Sequence, residues 1–363
     1  AKHWGGLLAQ YEHAVLDQLF EIAKTPFSAL VLDQATRVLL LGLENHLSDT
    51  EKLELHGLAT GSSHSFRDLG NRYERLMAYQ ALDDILQRHK IVRMRSSTLA
   101  LSSKRGAQGH ALLARNFGFE SAITSDENQL ITVVRPSTGF GFVSIGWAGL
   151  LGVVSGMNEH GLTITVNAGV SEETRRIGTP TAYFVRRALE QSRTIAEAIS
   201  ILRAARTFST EIISVIDATG QIAVAEITPA QFVLRKGELL ASTNHLEHPA
   251  FANDTVNQRQ KERTSTAQRR NRLESIIRAF PQSIGAKELL AALRDRQDSQ
   301  GTSLAPGHRH AIDAMRTTHS AIFDATGRRV WIGRGPHALG SYNGYDVRKL
   351  IYATTPEEVA KSR

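Results

Sequence analysis

Fourteen histidines and no cysteine stand among the 363 residues. Without cysteine there is no disulfide, no thiolate zinc site and no cysteine nucleophile. His245 with His248, and His308 with His310, lack the helical HExxH spacing of a zinc site, so no metal and no cofactor is expected. Hydroxyls and cations remain. Ser96, Ser97 and Thr98 follow the basic run Arg93-Met94-Arg95 and lead into Leu99-Ala100-Leu101, as a strand beginning on a polar face would. Farther on, alternation puts Arg115 on one face of a strand with Leu113 and Phe117. A guanidinium among apolar neighbours is costly unless it reaches a partner or the mouth of a pocket. At such a mouth it could hold a carboxylate. Arg115→Lys should then severely impair turnover or ligand binding while leaving the melting temperature nearly unchanged.

The elements that must position these residues change character along the chain. Residues 5–90 read as helical, with Leu7, Leu8, Tyr11 and Val15 and then Leu16, Leu19, Phe20 and Ile22 at helical spacing. Gly57 to Ser65 interrupts, and Phe66, Leu69, Tyr73 and Leu76 resume the stripe to about His89. Strands follow at Ser97–Leu101, Ala111–Phe117, Leu130–Arg135, Phe142–Trp147, Val153–Gly156 and Leu162–Val166. Helices are expected at Thr181–Glu190 and Ile195–Ala205. A meander then spans Glu211–Asp217, Gln221–Ile227, Phe232–Lys236 and Glu238–Ser242. Further helices at Gln268–Ala279 and Ala286–Asp295 precede a hairpin of Thr318–Phe323 and Arg329–Gly333. Runs of strands between runs of helices argue for an α+β fold with antiparallel sheets and helices on their outer faces. No glycine-rich phosphate loop opens a helix.

Composition excludes other classes. With 41% apolar residues the chain can bury a large core. Its most apolar stretch, Ala29 to Leu43, is broken by Asp33 and Arg37, so no membrane span is expected. The net charge of +7 is carried by the later part of the chain, since residues 1–95 hold 11 Lys and Arg against 12 Asp and Glu. The excess is dispersed except at Arg259 to Arg272, read as a solvated, mobile loop and helix start around Lys261, Arg263, Arg269 and Arg270. No nucleic-acid partner is expected, and the oligomeric state is left open. The lack of cysteine and the start at Ala1 lean towards the periplasm or secretion, with the cytoplasm still open.

A wider likeness runs from the segment at Ser96 through Gly109 and Arg115-Asn116-Phe117, then Gly156-Met157-Asn158-Glu159-His160-Gly161-Leu162, Asn167, Asp217, Glu226 and Thr243-Asn244-His245. Upstream it includes Leu55 to Ser62. In order and spacing these resemble the acyl-CoA:6-aminopenicillanate acyltransferase family, autoproteolytic relatives of the choloylglycine hydrolases. The resemblance implies an N-terminal-nucleophile αββα sandwich formed by residues 96–363, with residues 1–95 as a helical segment packed on it. It also implies self-cleavage at Arg95–Ser96 and amide hydrolysis or acyl transfer on N-acylated small molecules through an acyl-enzyme on Ser96. The freed α-amine, with a reference pKa of about 7.7–8, can serve as base for its own side chain. Arg115, Asn167 and Asn244 complete the implied catalytic set, the two amides as oxyanion donors; Asn116 is read as structural. Three positions depart from the pattern: Ser96 replaces the usual cysteine, Arg95 a glycine, and Gly118 an aspartate. Three readings of Ser96 follow: a serine nucleophile, a serine trapping an unprocessed precursor, or a relic in a protein that binds without catalysing.

Overall fold

Strands of β-branched and apolar residues, separated by glycine-bearing turns, can satisfy their backbone groups by pairing with their sequence neighbours. The computed structural model describes residues 41–61, 71–88, 95–119, 129–314, 317–334 and 338–363. One sheet holds β1 (Ser97–Leu101), β2 (Leu112–Gly118), β10 (Leu239–Ser242), β11 (Thr317–Asp324), β12 (Arg329–Gly333) and β13 (Tyr342–Asp346), in the order β10-β1-β2-β11-β12-β13. The other is a meander in chain order: β3 (Gln129–Val134), β4 (Phe142–Trp147), β5 (Ser155–Asn158), β6 (Thr163–Ala168), β7 (Glu211–Ile216), β8 (Ile222–Ile227) and β9 (Phe232–Lys236). Neighbouring strands are antiparallel in both sheets.

Alternation sorts the side chains into layers. Leu113 on β2 joins Val143, Ile145, Met157 and Phe323 in a core between the sheets. Leu112 and Ala114 face the other way, against Leu273, Ile276, Leu289 and Leu293 of α7 (Thr266–Ala279) and α8 (Ala286–Leu293). On the outer face of the seven-stranded sheet, Ile164, Val166, Ile213 and Val215 pack on Phe184, Ala188, Leu189, Ala198 and Leu202 of α4 (Thr181–Gln191) and α5 (Ile195–Ala204). The architecture is thus an α+β sandwich of two antiparallel sheets flanked by helices.

The turn between β5 and β6 shows why its sequence pattern is demanding. Buried Asn158 donates to the carbonyls of Leu189 and Ser192 at 2.8 and 2.7 Å and accepts from the nitrogens of His160 and Leu162. Gly161 has φ +89°, and a Cβ there would lie 2.2 Å from the carbonyl oxygen of Ala325. One asparagine therefore ties a tight turn to the end of α4.

In the N-terminal segment, α1 (Asp49–Gly61), α2 (Arg72–Gln80) and α3 (Leu82–Arg88) are described. The stripe expected over residues 5–40, and Phe66 and Leu69, lie outside the described residues. Leu55, Tyr73, Leu76, Met77 and Ile85 pack against Tyr183 and Phe208. Beside this apolar contact lies a polar seam. Asp84 accepts from the Thr181 nitrogen at 3.1 Å, the Thr181 hydroxyl at 2.7 Å and the Ser209 hydroxyl at 2.6 Å. Gln87 donates to both Asp83, at 2.5 Å, and Glu211, at 2.8 Å.

Candidate active site

Ser96 immediately precedes β1 and is fully buried. Three of its atoms are held by three different residues. Its nitrogen donates to Asn244 Oδ1 at 2.8 Å, its Oγ lies 3.3 Å from Arg115 Nη2, and its carbonyl oxygen accepts from Arg269 Nη1 at 2.6 Å.

Arg115 reaches Ser96 because β2 pairs beside β1, Thr98 opposite Arg115, and because its side chain points inward with Phe117. The guanidinium lies 4.7 Å from the centre of the Phe117 ring. Besides Ser96 it donates to the carbonyls of Val154 and Val166 and to Ser155 Oγ at 2.5 Å. Burial pulls its pKa down to about 9, opposed by the charge of Glu211, so it stays protonated at neutral pH.

Arg269 is a buried neighbour of Ser96 that the sequence pattern did not single out. Of residues 259–272, expected as a solvated, mobile loop and helix start, the helix start is present in the first half of α7, but the loop is not: the preceding residues fall on α6 (Thr255–Arg263), separated from α7 only by Thr264 and Ser265. Arg269 is buried and also donates to Ser97 Oγ and Asn244 Oδ1, each at 2.9 Å. Burial lowers its pKa to about 9, helped by the charge of Arg95. Within the helix expected over 268–279, the signal that could have marked it is that Arg269 shares helical spacing with Leu273 and Ile276, the buried face. Arg270, by contrast, pairs with Glu247 at 2.8 Å and Glu274 at 2.9 Å.

The two candidate amides lie close together, bridging the end of β6 and the residues that follow β10. Asn167, at the end of β6, accepts from Thr98 Oγ1 at 3.1 Å and donates to the carbonyls of Ser242 and Thr243. Asn244 donates its Nδ2 to the Ala168 carbonyl at 2.9 Å. Both amide NH₂ groups are thus engaged by backbone, and Asn244 meets Ser96 through its oxygen. Asn116 faces away, donating to the carbonyls of Leu293 and Ile312. At Gly118 the carbonyl accepts from the Arg95 nitrogen at 2.7 Å. Among the described residues no carboxylate forms an ion pair with Arg115 or Arg269.

Behind Val154 and Val166 a small cavity is walled by Phe119, Trp147 and Leu150 from the core and by Tyr79, Asp83 and Asp84 from α2 and α3. His245 hydrogen-bonds the hydroxyls of Thr243, at 3.2 Å, and Thr266, at 3.0 Å, and burial pushes its pKa down to about 3. No cluster of acidic or histidine side chains suited to a metal occurs among the described residues, and no helix among them is long and apolar enough to cross a membrane.

Solved structures similar to this chain include an N-acylethanolamine-hydrolyzing acid amidase ortholog from Caenorhabditis elegans (14% identity, 64% of this chain and 93% of that one, TM-score 0.46). A mutant conjugated bile acid hydrolase from Clostridium perfringens is similar at 14% identity, over 69% of this chain and 92% of that one, with a TM-score of 0.48. Penicillin V acylase from Agrobacterium tumefaciens is similar at 16% identity, over 71% and 88%, with a TM-score of 0.44. No curated protein matches the chain. A family model matches residues 105–337, a span that starts after Ser96 and takes in Arg115, Asn167, Asn244 and Arg269. Covering well over half of the sequence, that match places this chain in the acyl-coenzyme A:6-aminopenicillanic acid acyl-transferase family.

Proposed function

We propose that the chain is an amide hydrolase or acyltransferase for N-acylated small molecules, with Ser96 as the nucleophile. The observation that carries this reading is the three-point hold on Ser96, with nitrogen, Oγ and carbonyl oxygen fixed by Asn244, Arg115 and Arg269. A strand-starting hydroxyl held beside a permanent cation is what nucleophilic attack requires, because charge developing on Oγ meets a fixed donor.

Self-cleavage comes first. Ser96 Oγ attacks the Arg95 carbonyl carbon, the carbon–nitrogen bond breaks, the Oγ proton ends on the Ser96 nitrogen, and an ester remains. Water hydrolyses the ester, leaving the Arg95 carboxylate and Ser96 with a free α-amine. That amine then takes the Oγ proton as Oγ attacks the substrate carbonyl, and passes it to the departing amine; water or an acceptor amine removes the acyl group. Asn244 Oδ1 orients the amine, and Arg115 both stabilises Oγ and disfavours protonation of the amine. For Asn167 and Asn244 to serve the oxyanion, their NH₂ groups exchange a backbone carbonyl for the substrate oxygen.

Intact-mass measurement of freshly made protein tests this. Fragments meeting at Arg95–Ser96, absent from Ser96→Ala, are expected. A mass that stays whole for days at neutral pH, and is not altered by Ser96→Cys or Gly118→Asp, favours the second reading, a non-catalytic binding protein. The observation on that side is that the nitrogen of Ser96 meets the neutral Asn244 oxygen, while Gly118, whose carbonyl accepts from the Arg95 nitrogen, brings no carboxyl.

A further inference from the structure

Arg115 has four hydrogen-bond targets, and one of them leads deeper into the sandwich. Ser155 Oγ, at 2.5 Å from Arg115 Nη1, is also 2.9 Å from Nε2 of His319. All three side chains are buried between the sheets. A guanidinium can only donate, so Ser155 Oγ accepts from Arg115 and its own proton points elsewhere. The neighbour placed to take it is His319 Nε2. That assignment requires an imidazole that is neutral and carries its proton on Nδ1.

Two independent features support a dedicated arrangement. The pairing of β11 with β2 shifts register between Thr317 and His319, and a bulge of this kind re-aims a side chain locally. His319 is also stacked on Phe117, ring centres 4.8 Å apart and planes 11° from parallel, while Phe117 lies beneath the Arg115 guanidinium. The imidazole and the guanidinium therefore share one aromatic support.

We infer that His319 and Ser155 are positioning residues: a one-way chain of hydrogen bonds, Arg115 to Ser155 to His319, sets the guanidinium so that Nη2 is left for Ser96 Oγ. The inference rests on the reading of Ser96 as the reacting residue. A neutral ring suits the role, because a protonated one would make Nε2 a donor, turn Ser155 around and place a second cation beside Arg115. The buried site favours that neutral form, as burial and then the charge of Arg115 hold the His319 pKa well below the ordinary histidine range.

The test has two arms. Nitrogen-15 NMR of the full chain labelled at histidine, with the His319 signals assigned by their loss in His319→Gln, should show that the His319 ring does not titrate between about pH 5 and 8 and carries its proton on Nδ1. Titration in that range, or a proton on Nε2, overturns the inference whether or not the protein is an enzyme. The second arm follows cleavage at Arg95–Ser96 by intact mass. Ser155→Ala and His319→Phe should slow it by roughly 10- to 100-fold, the scale of a misplaced catalytic group. His319→Gln, which offers an amide oxygen to Ser155, should recover part of the rate, and Ser155→Ala with His319→Gln should be no slower than Ser155→Ala alone. Independent, multiplying losses, or a fully active His319→Phe, also overturn it. If the parent chain never cleaves, the reading of Ser96 fails while the NMR arm still decides the hydrogen-bond direction.

Discussion

Around Ser96 the protein buries two guanidiniums, Arg115 and Arg269, against neutral acceptors. Where α3 meets the core it buries Asp84 and Glu211 beside Asp83, with hydroxyls, a backbone nitrogen and an amide as their donors. Among the described residues neither cluster contains an ion pair. The two resolve the cost of buried charge in different ways. Burial lowers both arginines only to about 9, so at neutral pH they keep their charge and the field at Ser96 persists. The carboxyls can discharge. Burial and the charge of Asp84 raise Asp83 to about 7, burial raises Asp84 to about 6, and burial with both aspartates raises Glu211 well above the usual range. A site that must hold charge uses a group that cannot lose it, and a seam that needs only to be filled uses groups that can.

The largest effect is expected from breaking the charged cluster. Arg115→Lys keeps a cation, but one ammonium cannot serve Val154, Val166, Ser155 and Ser96 together. At least one buried acceptor is left without a donor, at about 1–3 kcal/mol for each. These contacts revise the expectation of an unchanged melting temperature: the variant should melt several degrees lower, and cleavage at Arg95–Ser96 should slow by about 100-fold or more. A variant that melts and cleaves like the parent would remove Arg115 from the site.

A smaller effect separates the clusters by pH. In the folded chain the seam carboxyls hold protons that they release on unfolding, so their contribution to stability is complete below about pH 4. It declines as pH rises through about 6 for Asp84 and about 7 for Asp83. Buried His245 and His319, with lowered pKa values, act in the opposite direction and lose their contribution as pH falls below about 6.5. The comparison is therefore between parent and Asp83→Asn: urea denaturation from pH 4.5 to 7.5 should show the parent losing stability relative to the variant by on the order of a few kcal/mol. Parallel curves would mean that Asp83 is ionised throughout.

How much of this could be read in the sequence depends on which force places each residue. β1, β4, β9 and β12 lie where periodicity and turns put their strands, because alternating burial is a property of the strand itself. The inward aim of Arg115 follows from the same alternation. β13 is not marked by its sequence: in Tyr342-Asn343-Gly344-Tyr345-Asp346 the two tyrosines favour a strand, but asparagine, glycine and aspartate do not, and it forms by pairing along β12. α6 was read as part of a loop because it lacks an apolar stripe; its start is set by Asp254, whose carboxylate accepts from the Asn257 nitrogen at 2.8 Å. The carboxyl seam was invisible for another reason. Two adjacent aspartates in a helix ordinarily face water, and only the packing of α3 on Thr181, Ser209 and Glu211 turns Asp84 inward.

The smallest expected effect is the sharpest test of the contrast. Glu211 is fully buried, and its Oε2 and the Oε1 of neighbouring Gln87 both lack a hydrogen-bond partner among the described residues. A protonated carboxyl supplies one donor to this group of acceptors, and glutamine of the same shape supplies an amide NH₂. If Glu211 is already neutral in the folded protein, Glu211→Gln removes no charge and creates no cavity. Its stability should then stay within about 0.5 kcal/mol of the parent at pH 5, the range of an unperturbing substitution. At pH 8 the variant should be the more stable of the two, since only the parent must hold a proton against solvent to stay folded. Thermal melts at the two pH values measure this directly. A loss of several kcal/mol at both would mean that Glu211 is buried as an anion, and that the seam and the Ser96 site carry their charge in the same way.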